Sequence, residues 1–166
     1  MRRKKLKINV SMPRNSWDNG RTAKLEKAVK FFLNKLNVST RLQNTLNIKV
    51  HVRKTVLDKD TLGNCTVALN GCNATKDFTI ILDDNQSHHQ NLETLAHECV
   101  HIEQQITKRF QLRVWSSDKK THVRWEGKEC GIYLQDIPYH QAPWEFEAKN
   151  KQSGLANDFA RKEAWN

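Results

Sequence analysis

The sequence predicts an α+β fold, and three local patterns predict it. Residues 21–36 place Leu25, Ala28, Val29, Phe32, Leu33 and Leu36 on one stripe at helical spacing. Lys24, Lys27, Lys30 and Lys35 fall mostly outside that stripe and read as a solvated face. Residues 46–52 alternate instead, with Ile48, Val50 and Val52 on one side, the two-residue period of a strand. Residues 91–105 carry Leu92, Leu95, Ala96, Cys99, Val100 and Ile102, with Ile106 just beyond, so apolar groups cover much of a third element's surface. That is the pattern of a largely buried helix.

The remaining elements follow in order. Residues 1–20 read as a basic arm, Arg2 to Lys7, and a loop rich in Pro, Asn, Ser and Gly. Residues 21–166 read as a single domain, and a chain of 166 residues is long enough for one core. Short strands are expected at 65–69 and 78–82, with Asn70-Gly71 as a turn and Asp83, Asp84 and Asn85 ending the second. Residues 110–115 and 122–125 read as a hairpin joined through 116–121. Pro143 and the acidic residues after it open a last helix, running to about Lys162.

Composition narrows the function classes. Twenty-eight Lys and Arg against 18 Asp and Glu give a formal net charge of +10, which permits a nucleic-acid or other polyanionic partner without requiring one. No run of about 20 apolar residues exists, so no membrane partner is expected. The basic start lacks the apolar region of a secretory signal, so the expected location is the cytoplasm, with Cys65, Cys72, Cys99 and Cys130 as thiols. Six residues separate Cys65 from Cys72, too wide for the usual zinc knuckle.

The third helix carries the chemistry. His97-Glu98-Cys99-Val100-His101 is an HExxH pattern. Histidines four apart lie one turn apart on the same helix face, placed to grip one ion. Glu98 is turned about 100° from His97 around the axis and can stand beside a metal without ligating it. There it can take a proton from an activated water and pass it to a leaving amine. A catalytic zinc takes three protein ligands. After His101 the chain lacks the Gly and third His of the xxGxxH continuation, having Gln104 and Thr107 there. A carboxylate from the last helix is the remaining source, either Glu145 or Glu147.

HExxHxxQ, then Trp125-Glu126-Gly127-Lys128, then PYxxxPWExEA from Pro138 to Ala148 resemble small phage-encoded zinc metallopeptidases of the minimal gluzincin type. The resemblance covers residues 77–160, roughly half the chain. It implies a zincin-like fold: a small twisted, mostly antiparallel sheet, the HExxH helix beneath it, and a downstream helix giving a glutamate ligand. It implies His97, His101 and Glu145 as zinc ligands, Glu98 as general base, and Tyr139 as the best placed donor to the oxyanion. Gluzincins often carry the glutamate in an ExxA[DN] setting. Glu145 matches it, with Lys149 where an acidic or amide residue would stand, and Glu147 is the rival ligand.

His122 and His140 are further oxyanion candidates, each read first as structural or surface. Gln104 lies two turns past His97 on nearly the same face and is placed to hydrogen-bond a ligand. His88 and His89 read as solvated, and Trp144 as packing the helix start. The expected partner is a protein or peptide substrate, extended along an exposed strand edge at 65–69 or at the Phe78 strand, on a monomeric enzyme in the host cytoplasm if phage-encoded. Two alternatives stand beside this. One is a DNA-associated SprT-like protease, for which no zinc ribbon is evident. The other is a non-catalytic phage protein that binds a host partner and holds zinc structurally.

Overall fold

The computed structural model describes residues 5–13, 20–54, 63–70, 73–114 and 121–163. Residues 55–62 lie outside them, as do the expected features at Arg2, Arg3 and Lys4, at 14–19, at Gly71 and Cys72, and in the hairpin loop 115–120. Among the described residues the chain is α+β, with four α-helices and two small sheets.

The larger sheet has four strands in the order β1 (Lys7–Ser11), β2 (Asn47–Arg53), β4 (Asn73–Asp83) and β3 (Gly63–Asn70). β1, β2 and β4 are parallel, and β3 pairs antiparallel with β4 at the edge. One mostly antiparallel sheet was expected; the chain forms two, and the larger is parallel in two of its three pairings. The cause lies in the segment expected to be an arm and loop. Lys7-Ile8-Asn9-Val10-Ser11 alternates polar and apolar residues, and α1 (Arg21–Lys35) then carries the chain over to β2, the crossover that a parallel pair requires.

Alternation along these strands sends Ile48, Val50, Val52, Phe78, Ile80 and Leu82 to one face, where all are buried. α1 covers part of that face with Leu25, Ala28, Val29, Phe32 and Leu33. It ends where Asn37 takes a left-handed conformation (φ 57°), a stop that lets the backbone N–H groups of Asn37 and Val38 bond back to Asn34 and Leu33. A short helix, α2 (Thr40–Gln43), is capped by Ser39 and leads into β2.

α3 (His88–Ile106) starts at a capping box, in which Ser87 accepts from the Gln90 backbone and the Gln90 side chain accepts from the Ser87 backbone. It packs between the sheet, α1 and α4 (Pro143–Glu163), which explains why so much of its circumference is apolar. Phe159 of α4 meets Phe31 and Phe32 of α1, with ring centroids 5.5 and 5.8 Å apart, and so ties the far end of α4 to the main core. Lys27 and Lys35 on the outer face of α1 pair with Glu163 and Asp158 of α4.

The second sheet is antiparallel, with β5 (Phe110–Val114), β6 (Thr121–Trp125) and β7 (Lys128–Ile132) in that order. The third strand follows a two-residue turn in which Glu126 (φ 47°) and Gly127 (φ 83°) both adopt positive φ, the geometry that closes tight hairpins. Val123 is buried with Ala142 and Trp144, and Phe110, Leu112, Trp125 and Ile137 pack around them. This small cluster seats the beginning of α4. No described helix is long and apolar enough to cross a membrane.

Candidate metal centre

Two helices build the site. His97 and His101 stand one turn apart on the α3 face turned toward α4, and Glu145 lies in the first turn of α4. Trp144 sets where that turn sits. Its indole is buried against Phe110 and Trp125, with ring centroids 4.8 and 6.2 Å away. The next residue is rotated by about 100° and faces α3.

There Glu145 Oε2 lies 3.3 Å from His97 Nε2 and 3.3 Å from His101 Nε2, and the two imidazole nitrogens are 3.0 Å apart. The other nitrogen of each ring is engaged with a glutamine. His97 Nδ1 is 2.9 Å from Gln152 Oε1, and His101 Nδ1 is 2.9 Å from Gln104 Oε1. Gln104 Nε2 is taken up by two acceptors, so its oxygen faces His101. In the neutral ring Nδ1 then carries the proton and Nε2 turns a lone pair inward, and His97 does the same when the Gln152 oxygen accepts from its Nδ1. Glu145 Oε2 is buried there and finds no hydrogen-bond donor of good geometry, although it sits close to both rings.

With both rings in that tautomer, three acceptor atoms face one point, and a cation satisfies such a set. The cluster could hold a metal ion. Two imidazole nitrogens and a carboxylate oxygen suit zinc, whose tetrahedral bonds of about 2.0–2.1 Å put neighbouring ligand atoms roughly 3.3–3.4 Å apart. The separations of 3.0, 3.3 and 3.3 Å come close to that edge length.

Without a cation, a proton shared between the rings and the carboxylate fills the same role. Burial pushes the Glu145 carboxyl up, but the bonds to His101 and His97 outweigh it and hold the group well below the usual carboxylate range. His101 is raised despite its burial because Glu145 hydrogen-bonds it and lies beside it as a negative charge. Glu98 is 6 % exposed, and loss of water raises its carboxyl, with the two histidines pulling the other way and Glu145 adding to the rise. Tyr139 sits in a single 3₁₀ turn (Tyr139–Gln141) just before α4 and hydrogen-bonds Glu145; burial of its hydroxyl and that bond raise the phenol, though the residue as a whole is 62 % exposed.

Glu147 does not join the cluster. Its Oε2 accepts from Gln104 Nε2 at 2.9 Å and from Arg109 Nη2 at 2.8 Å, and its Oε1 accepts from Lys151 Nζ at 2.6 Å. Burial raises this carboxyl, but those bonds prevail and bring it down to about 2. His122 lies on β6 and pairs with Glu129 at 2.7 Å, while His140 is exposed beside Gln141. His88 and His89 are exposed at the start of α3. Cys99 is buried and Cys130 exposed, both as free thiols.

Sequence reasoning missed Gln152. A signal was available, since Gln152 lies seven residues after Glu145, two turns along the same helix face. A helix that supplies one group to a site returns to it at that spacing. Comparison with protein-family models, curated proteins and solved structures finds no match.

Proposed function

We propose that this chain is a zinc-dependent metallopeptidase of the minimal gluzincin type, like the small phage-encoded enzymes its motifs resemble. One observation carries the reading: Nε2 of His97, Nε2 of His101 and Oε2 of Glu145 converge to within 3.3 Å of one another, and an HExxH glutamate stands beside them. Zinc, when bound, supplies a Lewis acid that polarises the scissile carbonyl and acidifies water.

The rest of the chemistry belongs to side chains. Glu98 is not among the convergent ligands, and its carboxyl is raised by its apolar surroundings. Beside both histidines and outside the ligand set, its carboxylate is placed to take the proton of the attacking water and return it to the leaving amine. Tyr139 reaches Glu145 from an exposed turn, so its hydroxyl can swing to the oxygen that becomes negative at the tetrahedral stage. The substrate lies extended along β3, taking main-chain hydrogen bonds from the open side of that edge strand. The Phe78 strand cannot serve, because β4 is paired on both sides.

The test starts from a trapped partner. Glu98→Gln keeps the size of the side chain and removes the base, so this variant, loaded with zinc, captures a substrate for identification. The unchanged protein should cleave that partner, and Glu98→Gln should bind zinc equally and cleave it at least about a hundredfold more slowly. His97→Ala should lose both zinc and cleavage. Equal cleavage by Glu98→Gln would refute the enzyme and leave a binding protein with structural zinc.

A further inference from the structure

Gln104 is an uncharged side chain, 1 % exposed, at the contact between α3 and α4. Its amide cannot turn over. Nε2 donates to the Trp144 carbonyl at 3.0 Å and to Glu147 Oε2 at 2.9 Å, so exchanging the two amide atoms would set an oxygen against two acceptors. Oε1 is thereby held toward His101, where it accepts from Nδ1 at 2.9 Å. Glu147 is itself fixed from outside by Arg109 and Lys151, and Arg109 also bonds Glu103 and Glu126 while lying 4.9 Å over the Trp125 ring.

We propose that Gln104 and Glu147 are positioning residues: Glu147, with the Trp144 carbonyl, locks the Gln104 amide, and Gln104 then holds His101 in the tautomer that presents Nε2 to the cluster. This rests on the metal-site reading above and assigns Glu147 a part in it distinct from ligation. It also accounts for an acidic residue two places after the ligand Glu145, since α4 uses one glutamate to meet the cation and the other to brace the helix that carries the histidines.

The test has two readouts, neither of them peptide cleavage. Long-range proton–nitrogen spectra of the metal-free, ¹⁵N-labelled protein at alkaline pH report which His101 nitrogen carries the proton. Competition with a chelator reports zinc affinity. The unchanged protein should show the proton on Nδ1. Gln104→Met, similar in size and lacking the acceptor, should shift the proton toward Nε2 and weaken zinc binding by about 10–100-fold. Glu147→Ala should move both readouts in the same direction by less. Glu147→Gln should restore them, because one amide oxygen can still accept from Gln104 and Arg109.

A Gln104→Met protein with the proton still on Nδ1 and unchanged zinc affinity overturns the proposal. So does a Glu147→Ala protein indistinguishable from Glu147→Gln in both readouts, and that pair decides the matter if Gln104→Met fails to fold. If the unchanged protein binds no zinc, the metal reading falls on its own, and the tautomer spectra still decide whether Gln104 orients His101.

Discussion

Glu145 and Glu147 are two residues apart and chemically identical, yet they occupy opposite electrostatic settings. Glu145 turns Oε2 to two ring nitrogens with no well-aligned donor on that oxygen, whereas both oxygens of Glu147 are saturated by Gln104, Arg109 and Lys151. Glu145→Ala should therefore weaken zinc binding at least about a hundredfold, and Glu147→Ala by no more than about tenfold, the difference between removing a ligand and loosening its support. Equilibrium dialysis against zinc measures both. Glu147 also makes a prediction about acid. Its carboxyl falls from 4.5 to about 2 in the folded chain, so the unfolded state binds its proton first as pH drops. The stability it contributes is full above about 4.5 and fades as pH falls toward about 2. Urea midpoints should show Glu147→Ala less stable than the unchanged protein at pH 6, with the gap narrower at pH 3 and closed only below about pH 2.

At the scale of elements, the small second sheet earns its place by holding the first turn of α4. Phe110, Trp125 and Val123 grip Trp144, and Trp144 carries Glu145 and offers its carbonyl to Gln104. Trp144→Ala should cost about 3–5 kcal/mol of stability, as large buried aromatics do. Zinc affinity should fall with it, because the turn bearing Glu145 loses its anchor. Denaturant unfolding checks the first and chelator competition the second. Loss of stability with unchanged affinity would mean that α4 is held by its far end alone, through Phe159 against Phe31 and Phe32.

For the whole molecule, the cluster joins α3 of the main core to the beginning of α4, so a bound cation cross-links elements distant in sequence. Ligand bound only to the folded state stabilises it by mass action. Zinc at a thousandfold excess over its dissociation constant should add about 4 kcal/mol and raise Tm, a chelator should reverse the rise, and Glu145→Ala should show none. Differential scanning calorimetry with and without chelator measures this. A Tm unchanged by zinc in the unchanged protein would count against the site as a metal centre.

What the sequence by itself determined was local. Helical spacing placed α1, α3 and α4 within a few residues of their ends, because apolar side chains must recur every three or four residues to reach a core. The same spacing put His97 and His101 on one face, since both belong to one helix. Pairing and packing were decided only in three dimensions. Lys7–Ser11 alternates as a strand does, but nothing within those residues announces β2 as its parallel neighbour. Glu145 and Glu147 differ only by the direction each leaves α4, and that direction was set when Trp144 was buried against Phe110 and Trp125. Gln104 and Gln152 acquired their partners when α3 and α4 closed together. A residue's period is written in its neighbours along the chain, but its hydrogen-bond partner is chosen by whichever surface the core brings opposite it.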